Sequence, residues 1–365
     1  MMLKANKTFP LLLGTAIALV IIGLTMVFSA SSIQAIQTSG SFYTIFLRQF
    51  IFLIIGVSAA LIAFKIPTSH LRKLSLPILL TACLFNLLTF SPLGYSVNGN
   101  TNWIKFGPIT LQPSEFSKVA LIIWIADKLS RNQLSTIEKI RAVVYGALPI
   151  LGFIVLGRDL GTAIIVTAIA LGMLFVAGIN GKFLTISTFF VGIGASLLIL
   201  TQSHRLKRFS ALFDPFSQAN YHGAGWQPAH GIMALATGGI FGVGLGGSRQ
   251  KWGNLGPEAH TDFIFAVIGE ELGLLGTTLV VVLFLIFLWK GFSVAIKTRD
   301  GLSRLIVSGV TIWIAVQAMV NMGSAIGVFP VVGVPLPLVS YGGSSLISTL
   351  VAVALMLRVV DKSSR

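Results

Sequence analysis

"FPLLLGTAIALVIIGLTMVFSA", residues 9–30, is the stretch that decides the class of fold. It carries no charged side chain, and a helix needs about 20 such residues to cross the hydrocarbon core of a bilayer. A secretory signal peptide is the alternative, because Lys4 and Lys7 precede the run and small residues follow it. The apolar region of a signal peptide is shorter, about 7–15 residues. We therefore predict a first transmembrane helix, with cleavage as the alternative.

Similar apolar runs recur along the chain. Of its 365 residues 55% are hydrophobic and only 10% charged, whereas soluble domains carry about 25% charged residues. The runs are continuous, which favours membrane-spanning helices over the alternating strands of a barrel. We predict an all-α polytopic membrane protein, a single domain over residues 1–365 without internal repeats. The predicted spans are 9–30, 47–64, 75–92, 111–129, 142–157, 160–178, 184–202, 262–289, 304–322 and 343–358.

The distribution of charge predicts the orientation of these spans. Ten crossings put both termini on one side, and that side holds seventeen of the twenty-six basic residues, with about +13 net charge against +2 on the other. By the positive-inside rule both termini are cytoplasmic, in the cytoplasmic (inner) membrane. Basic loops facing anionic membrane lipids also account for the total charge of +15 without nucleic acid. The lone Cys83 excludes a disulfide within the chain.

One connection is much longer than the others. Residues 203–261, between the seventh and eighth predicted spans, are rich in Gly and Trp and polar enough to leave the bilayer. We predict that they form a large outer loop. Loops of this length are functional or disordered, so a plain connector stays the alternative.

Ionisable residues beside apolar runs are the first candidates for a functional site. Glu115 and Lys118 are three residues apart and share one helical face. They either neutralise each other, as many buried ion pairs do, or form the charged wall of a cavity open to the outer leaflet. Asp159, which follows Arg158, is expected to cap the sixth span, where the helix dipole favours a carboxylate.

"PEAHTDFIFAVIGEELG", residues 257–273, holds four of the eleven acids. If a helix already runs there, Asp262 and Glu270 lie near one face and line one cavity, and Glu258 lies one turn earlier. Glu271 then points away and needs a different partner. Apolar neighbours at the membrane edge raise the pKa of a carboxyl, so Asp262 is a candidate general base. The alternative is a helix N-cap.

"GVFPVVGVPLPLVSYGGSS", residues 327–345, breaks the backbone between the last two spans with Gly and Pro. Such breaks are tolerated at membrane depth where they line protein or a wet cavity. The segment is a re-entrant loop or a rigid cap. Ser340, Tyr341 and Ser344 supply hydrogen-bonding groups suited to a sugar or a phosphate.

Several motifs occur together in a fixed order. They are "QPSEFSK" at 112–118, "DLGTA" at 159–163, the acidic stretch at 257–273 and "PLPLVSYGGSS" at 335–345. In this order on ten spans they resemble the SEDS family (shape, elongation, division and sporulation) of FtsW, RodA and SpoVE proteins. "MALATGG" at 233–239 is closer to the FtsW branch.

The resemblance implies a peptidoglycan glycosyltransferase that polymerises lipid II, an undecaprenyl-linked disaccharide, at the outer face for cell division or cell shape. It implies a class B penicillin-binding protein transpeptidase and other division or elongation membrane proteins as partners. Asp262 would be the catalytic base. One base suffices because the leaving group is a diphosphate; glycosidases with poorer leaving groups use two carboxylates. No cofactor is indicated, and a divalent cation stays open.

The candidate substrate-binding residues come from the motifs above and from polar positions around them: Asn98, Trp103, Gln112, Glu115, Lys118, Arg208, Lys251, Glu258, His260, Glu270, Ser340, Tyr341 and Ser344. One position departs from the family pattern, since Asn102 stands where the family often has Arg.

Two other functions are compatible with such a chain, a lipid II flippase or transporter and a non-catalytic division scaffold. A secondary transporter places its ionisable groups near the bilayer midplane, often between inverted repeats. Here the acids cluster toward one face and the two halves show no symmetry, which favours chemistry at the outer surface.

Overall fold

The protein is a bundle of long helices with short helices and a small sheet gathered at one end. The computed structural model describes residues 8–97, 99–107, 109–131, 134–200 and 203–364. The helices are α1 Thr8–Ser39, α2 Thr44–Lys65, α3 Thr68–Leu88, α4 Pro113–Leu129, α5 Thr136–Leu156, α6 Leu160–Val176, α7 Gly181–Leu200, α8 Ser203–Phe213, α9 Gln218–Tyr221, α10 Trp226–Gly238, α11 Ile264–Lys297, α12 Gly301–Ala325 and α13 Gly343–Ser364. Two 3₁₀ turns cover Gln250–Trp252 and Gly256–His260, and the strands are β1 Gly94–Val97, β2 Asn100–Phe106 and β3 Ile109–Leu111.

Each of the ten predicted apolar runs overlaps one of these helices, so the prediction of a helical polytopic protein is confirmed. Within the described residues, seven helices are long and apolar enough to cross a membrane. They are α1, α2, α3, α5, α11, α12 and α13; α6 and part of α7 are shorter apolar helices. The count of ten crossings stays a prediction.

α4 and α12 form the centre of the bundle. Most residues of α4 are buried, including Leu121 and Ile125, and α12 buries Trp313 and Ile314. α2 instead exposes apolar side chains such as Ile62. A helix that is hydrophobic on all sides is buried or faces lipid, so the central helices are packed by protein while α2 presents its apolar surface outward.

The long connection 203–261 is structured. It contains α8, α9, α10 and both 3₁₀ turns, so it is not a plain connector. It is also not polar throughout, because Ile240, Phe241 and Leu245 expose apolar side chains at the tip after α10. That the segment leaves the bilayer as an outer loop stays a prediction.

α11 is broken at Gly273, whose φ of 68° and ψ of −163° are not helical. Such a backbone suits glycine and is strained for other residues. The tip after α10 fills the break: Val243 and Gly244 donate backbone hydrogen bonds to the carbonyls of Glu270 and Glu271, both at about 3 Å. The helix begins only at Ile264, so the condition of a helix running through 257–273 is not met.

A three-stranded antiparallel sheet, in the order β1-β2-β3, joins α3 to α4 and was not predicted from the sequence. It docks on the turn between α5 and α6, where the Thr101 amide donates to the Gly157 carbonyl at 3.0 Å. A Cβ at Gly157 would overlap the side-chain oxygen of Asn102. The sheet is thereby held over the start of α6.

The Gly- and Pro-rich segment between α12 and α13 runs through protein, as a re-entrant loop would. Gln317 of α12 donates to the carbonyl of Pro335 at 2.9 Å, and Asn321 donates to that of Val334 at 2.8 Å. Side chains thus satisfy backbone groups that a helix or sheet would otherwise have to pair.

Candidate functional site

A polar cavity of about 460 Å³ lies at the end of the bundle beneath the sheet. We call it the main cavity. It is lined by Asn100, Asn102, Trp103, Gln112, Asp159, Arg208, Gln227, Pro257, Glu258, His260, Thr261, Asp262, Val331, Val332, Gly333, Pro335, Tyr341, Gly342, Ser344 and Ser345.

Four helix N-termini converge on the main cavity. Gln112 is the N-cap of α4 and Asp159 that of α6. Asp262 comes two residues before α11, and Ser344 lies in the first turn of α13. The N-terminus of a helix carries a partial positive charge and unpaired N–H groups. These partial positive charges and the guanidinium of Arg208 offset the carboxylates of Asp159, Glu258 and Asp262, which line the same cavity.

The backbone on either side of Asp262 is fixed by two neighbouring segments. Ser340 donates its hydroxyl to the Thr261 carbonyl at 2.6 Å, and Asn321 of α12 donates to the Asp262 carbonyl at 3.0 Å. The predicted cap role is not observed, because Phe263 is the N-cap of α11. Ser340 itself does not line the cavity, so the structure gives it a positioning contact instead of the predicted substrate contact.

The carboxyl of Asp262 is unusual in its electrostatics. Burial raises its pKa from 3.8 to about 7, and the negative charges of Glu258 and Asp159 add to this rise, while the guanidinium of Arg208 opposes it. A carboxyl with a pKa near neutrality is poised to exchange a proton at physiological pH. Such a shift in a cavity marks a candidate functional residue.

His260 also lines the main cavity, and its pKa shifts in the opposite direction from that of Asp262. The ring is buried, which lowers its pKa to about 4 and keeps it neutral at pH 7. Its Nδ1 has no hydrogen-bond partner within the described residues, and its carbonyl accepts from the Tyr341 amide at 2.9 Å. Tyr341 also has a raised pKa from burial, which a charge interaction and a hydrogen bond with Arg48 oppose.

On the opposite wall, Gln112 links the ends of three helices. Its side-chain amide donates to Asp159 at 3.1 Å and its backbone amide donates to the Ser344 hydroxyl at 2.9 Å. Asp159 caps α6 as predicted, accepting from the Thr162 amide at 2.9 Å. It also lines the main cavity, so capping and cavity contact coexist in one side chain.

The structure places Glu115 and Lys118 away from the main cavity. Both are almost fully buried, and Lys118 contacts Glu115 at 2.7 Å, the Gln317 side chain at 2.9 Å and the ring face of Trp313. Their charges are thus compensated inside the bundle, and the predicted charged cavity wall is not observed.

Glu270 and Lys251 are also displaced from their predicted positions. Glu270 is buried, and its carboxylate accepts from the Ser248 hydroxyl and from the Arg249 amide at 2.9 Å. Lys251 pairs with Glu271 at 2.8 Å. The expectation that Glu271 has a separate partner is confirmed, while the expectation that Asp262 and Glu270 share a cavity is wrong, because α11 starts after Asp262.

Most of the remaining predicted residues line the main cavity together with Asp262. They are Trp103, Gln112, Arg208, Glu258, His260, Tyr341 and Ser344. Asn98 lies outside the described residues. Among those described, no group of three or more His, Cys, Asp or Glu side chains is arranged to hold a metal ion.

Sequence reasoning missed several residues at the cavity. Asn100 and Gln227 line it without belonging to a recognised motif. Arg48, which bonds to Tyr341, sits in the second apolar run, where a charged residue is itself a signal of function. Asn102 was noted only as a departure from the family pattern, and it lines the cavity.

Fold and cavity together define a class: a multi-pass membrane protein with a polar cavity, lined by three carboxylates and an arginine, at one end of its helix bundle. The model of the cell cycle protein family of FtsW, RodA and SpoVE matches residues 10–365. The chain belongs to this family.

Relatives and solved structures agree with this membership. The chain is 36% identical to the probable peptidoglycan glycosyltransferase FtsW of Geobacter metallireducens, covering 94% of this chain and 92% of the relative. It is 38% identical to the protein of that name from Hahella chejuensis, covering 95% and 89%.

Among solved structures, one described as "Structural coordination of polymerization and crosslinking by a peptidoglycan synthase complex" matches with a TM-score of 0.80 and 26% identity, covering 97% of each chain. The rod shape determining protein RodA of Thermus thermophilus matches with a TM-score of 0.71 and 26% identity, covering 96% of each chain.

Proposed function

We propose that this protein is a peptidoglycan glycosyltransferase that polymerises lipid II into glycan strands, and that Asp262 is its catalytic base. In the reaction the 4-hydroxyl oxygen of the acceptor sugar attacks the anomeric carbon of the donor. The bond to that carbon forms as the bond from it to the diphosphate breaks, and the diphosphate keeps the electron pair. The acceptor proton passes to the Asp262 carboxylate.

The observation that carries this proposal is the state of Asp262. Its pKa of about 7 makes it a stronger base than an ordinary carboxylate and still leaves about half of it ionised near neutral pH. Asn321 and Ser340 fix the backbone around it. General-base catalysis requires such a group, held in place beside the hydroxyl that loses its proton.

The rest of the main cavity supports the handling of a diphosphate. The helix N-termini that converge there and the guanidinium of Arg208 favour negative charge. Charge that develops on the leaving diphosphate is stabilised by groups already aimed at it, which is the largest single source of rate enhancement in many enzymes.

The location of the cavity favours polymerisation over transport. Its polar residues lie at the ends of the helices, whereas transporters bind substrate near the midplane. The residues that we propose contact the substrate all line the cavity: Trp103, Gln112, Arg208, Glu258, His260, Tyr341 and Ser344.

The two ends of α4 support an outward-facing site. Gln112 begins the helix at the cavity, and the buried Asp127 lies about 22 Å away near the other end. Asp127 is surrounded by Arg131, Lys128 and Arg72 at 3.1, 3.5 and 4.0 Å. By the positive-inside rule the basic end is cytoplasmic. We infer that both termini are cytoplasmic and that the cavity faces outward from the cytoplasmic membrane.

Fusions of a reporter that is active only outside the membrane test this orientation. A fusion at Gly223, beside α9, should be active and a fusion at Arg131 silent. The reverse pattern would place the cavity on the cytoplasmic side and would contradict an outward-facing site.

One comparison supports a crosslinking partner. One matched structure is described as a synthase complex that couples polymerisation to crosslinking. We infer that a class B penicillin-binding protein transpeptidase binds this protein, together with other division or elongation membrane proteins. The FtsW names of the relatives favour a role in division.

The deciding experiment is strand synthesis from purified lipid II by the purified protein, with and without a candidate transpeptidase. Glycan strands longer than a disaccharide, formed only when the protein is present, would support the proposal. Lipid II movement across vesicles without strand formation in either condition would refute it and favour a transporter.

A further inference from the structure

A second, smaller cavity of about 120 Å³ adjoins the main cavity between α6 and α8. We call it the side cavity. It shares Asn100, Asp159 and Arg208 with the main cavity and adds Arg158, Leu160, Ile164 and Phe209. A ligand that occupies both would therefore pass beside Arg208.

The lining of the side cavity combines cationic and apolar side chains. Its cationic groups are Arg158 and Arg208, which are both exposed. Its apolar side chains include Ile164 and Phe209, which are 43% and 42% exposed. Cationic groups beside exposed apolar side chains match a ligand with an anionic head and a hydrocarbon tail.

The backbone at Arg158 is an independent sign that this side chain has a role. Its φ of 66° is left-handed, at the position just after α5 where helices usually end in glycine. Glycine would adopt this conformation at lower cost. Strained non-glycine residues cluster at functional sites, where the surrounding structure holds them in place.

α8, which carries Arg208, is amphipathic. It combines basic residues with apolar ones, and Leu206, Phe209 and Phe213 are exposed on it. An amphipathic helix of this kind lies in the membrane interface with its apolar side chains in the acyl region. Arg208 also donates to the Val331 carbonyl at 3.4 Å, so it is tied to the wall of both cavities.

We propose that the side cavity is the binding site for the polyprenyl diphosphate end of the donor, with the diphosphate between Arg158 and Arg208 and the first isoprene units passing between α6 and α8. Its role as the leaving-group site rests on the proposed function. When the donor's anomeric bond breaks, the electron pair stays on the diphosphate at these arginines, and the acceptor's proton goes to Asp262 in the main cavity.

Photolabelling tests the site without turnover. The probe is a polyprenyl diphosphate that carries a diazirine in its first isoprene unit, with the full-length protein in lipid nanodiscs. We expect labels on Ile164 and Phe209, displaced by unlabelled polyprenyl diphosphate and not by the corresponding polyprenyl alcohol or by inorganic diphosphate at equal concentration.

Matched variants distinguish a specific binding site from nonspecific attraction of the probe to positive charge. Arg208→Gln should weaken labelling by about 10- to 100-fold, as expected for a lost charge-assisted hydrogen bond. Lys207→Gln, one residue away on the same helix with the same loss of charge, should leave labelling unchanged. Arg158→Gly, which suits the left-handed backbone, should weaken labelling in folded protein. Equal effects at positions 207 and 208, or labels elsewhere, would overturn the site.

A filling variant tests the path of the tail. Ile164→Trp should block labelling and raise the KM for lipid II, while Phe175→Trp, on the same helix but about 16 Å away, should do neither. A wild-type protein that labels at Ile164 and makes no strands would refute the proposed function alone. A polymerase that Ile164→Trp leaves unchanged would refute the site alone.

Discussion

Asp262→Asn is the substitution with the sharpest expected outcome. Asparagine keeps the size of the side chain and its hydrogen bonding but cannot accept the proton. General-base catalysis contributes about 10²–10⁴-fold, so strand synthesis should fall by about that factor. Binding of lipid II should survive, because helix N-termini and Arg208 are untouched.

The same variant should be more stable than the wild type at high pH. Burial raises the pKa of Asp262 from 3.8 to about 7. The folded state therefore holds its proton more tightly than the unfolded state, and ionisation costs stability as the pH rises from about 4 to 7. With about 1.4 kcal/mol for each tenfold change in acidity, the cost is on the order of 4 kcal/mol above pH 7. Asparagine avoids it.

Two measurements on the purified variant decide the matter. Strand synthesis at pH 8 gives the loss of rate, and thermal unfolding at pH 8 and at pH 4 gives the difference in stability. We expect a raised Tm at pH 8 and little change at pH 4. Activity within a few-fold of wild type would remove Asp262 as the base, and a lowered Tm at pH 8 would refute the account of its pKa.

Glu258→Gln is the matched control, since it removes a second carboxylate from the same cavity. The negative charge of Glu258 helps to raise the pKa of Asp262, so its loss should move the acid limb of the pH–rate profile to lower pH. In the wild type the rate should fall about tenfold for each pH unit below about 7. Loss of activity at every pH would instead show that Glu258 does more than adjust the pKa of Asp262.

Two further outcomes concern stability. Lys251→Met should lower the free energy of unfolding by about 3–5 kcal/mol, because it leaves the Glu271 carboxylate buried without its cation. Replacing both residues with apolar ones should restore most of the Tm. A single variant as stable as wild type would show that the pair is dispensable. Gly238→Ala should prevent correct packing of α10 on α11, because a Cβ would overlap the Gly269 carbonyl. Gly14→Ala, with open space around it, should fold normally. Similar size-exclusion profiles of the two variants in detergent would contradict this expectation.

Much of the helical architecture could be predicted because hydropathy depends only on local sequence. Each predicted run overlaps a helix, but the third run, predicted from residue 75, starts too late. α3 begins at Thr68 and includes Arg72 and Lys73. Long basic side chains near a helix end extend toward water, so charge there does not end the helix. The sheet was not predicted because its strands are only three to seven residues long, although each pairs with its neighbour in the chain.

The site was predicted unevenly for a related reason. The place of Asp262 at the cavity could be anticipated because its motif and its apolar neighbours are adjacent in sequence, while its role as the base stays a prediction. Glu270 was misplaced because a helical wheel assumes one continuous helix, and α11 neither includes Asp262 nor continues unbroken through Gly273. The partner of Lys251 could not be inferred, since the contact joins residues twenty apart across a turn whose shape is not periodic.

The break at Gly273 has a consequence for how the protein enters the membrane. The amides of Leu274 and Leu275 donate to the carbonyls of Gly239 and Ile240 at 2.9 and 3.2 Å. In hydrocarbon these amides would otherwise be unpaired, which costs several kcal/mol each by rough measure. α11 thus has its backbone hydrogen bonds at the break only with the tip that precedes it. For insertion into lipid, residues 226–275 therefore behave as one hydrogen-bonded unit.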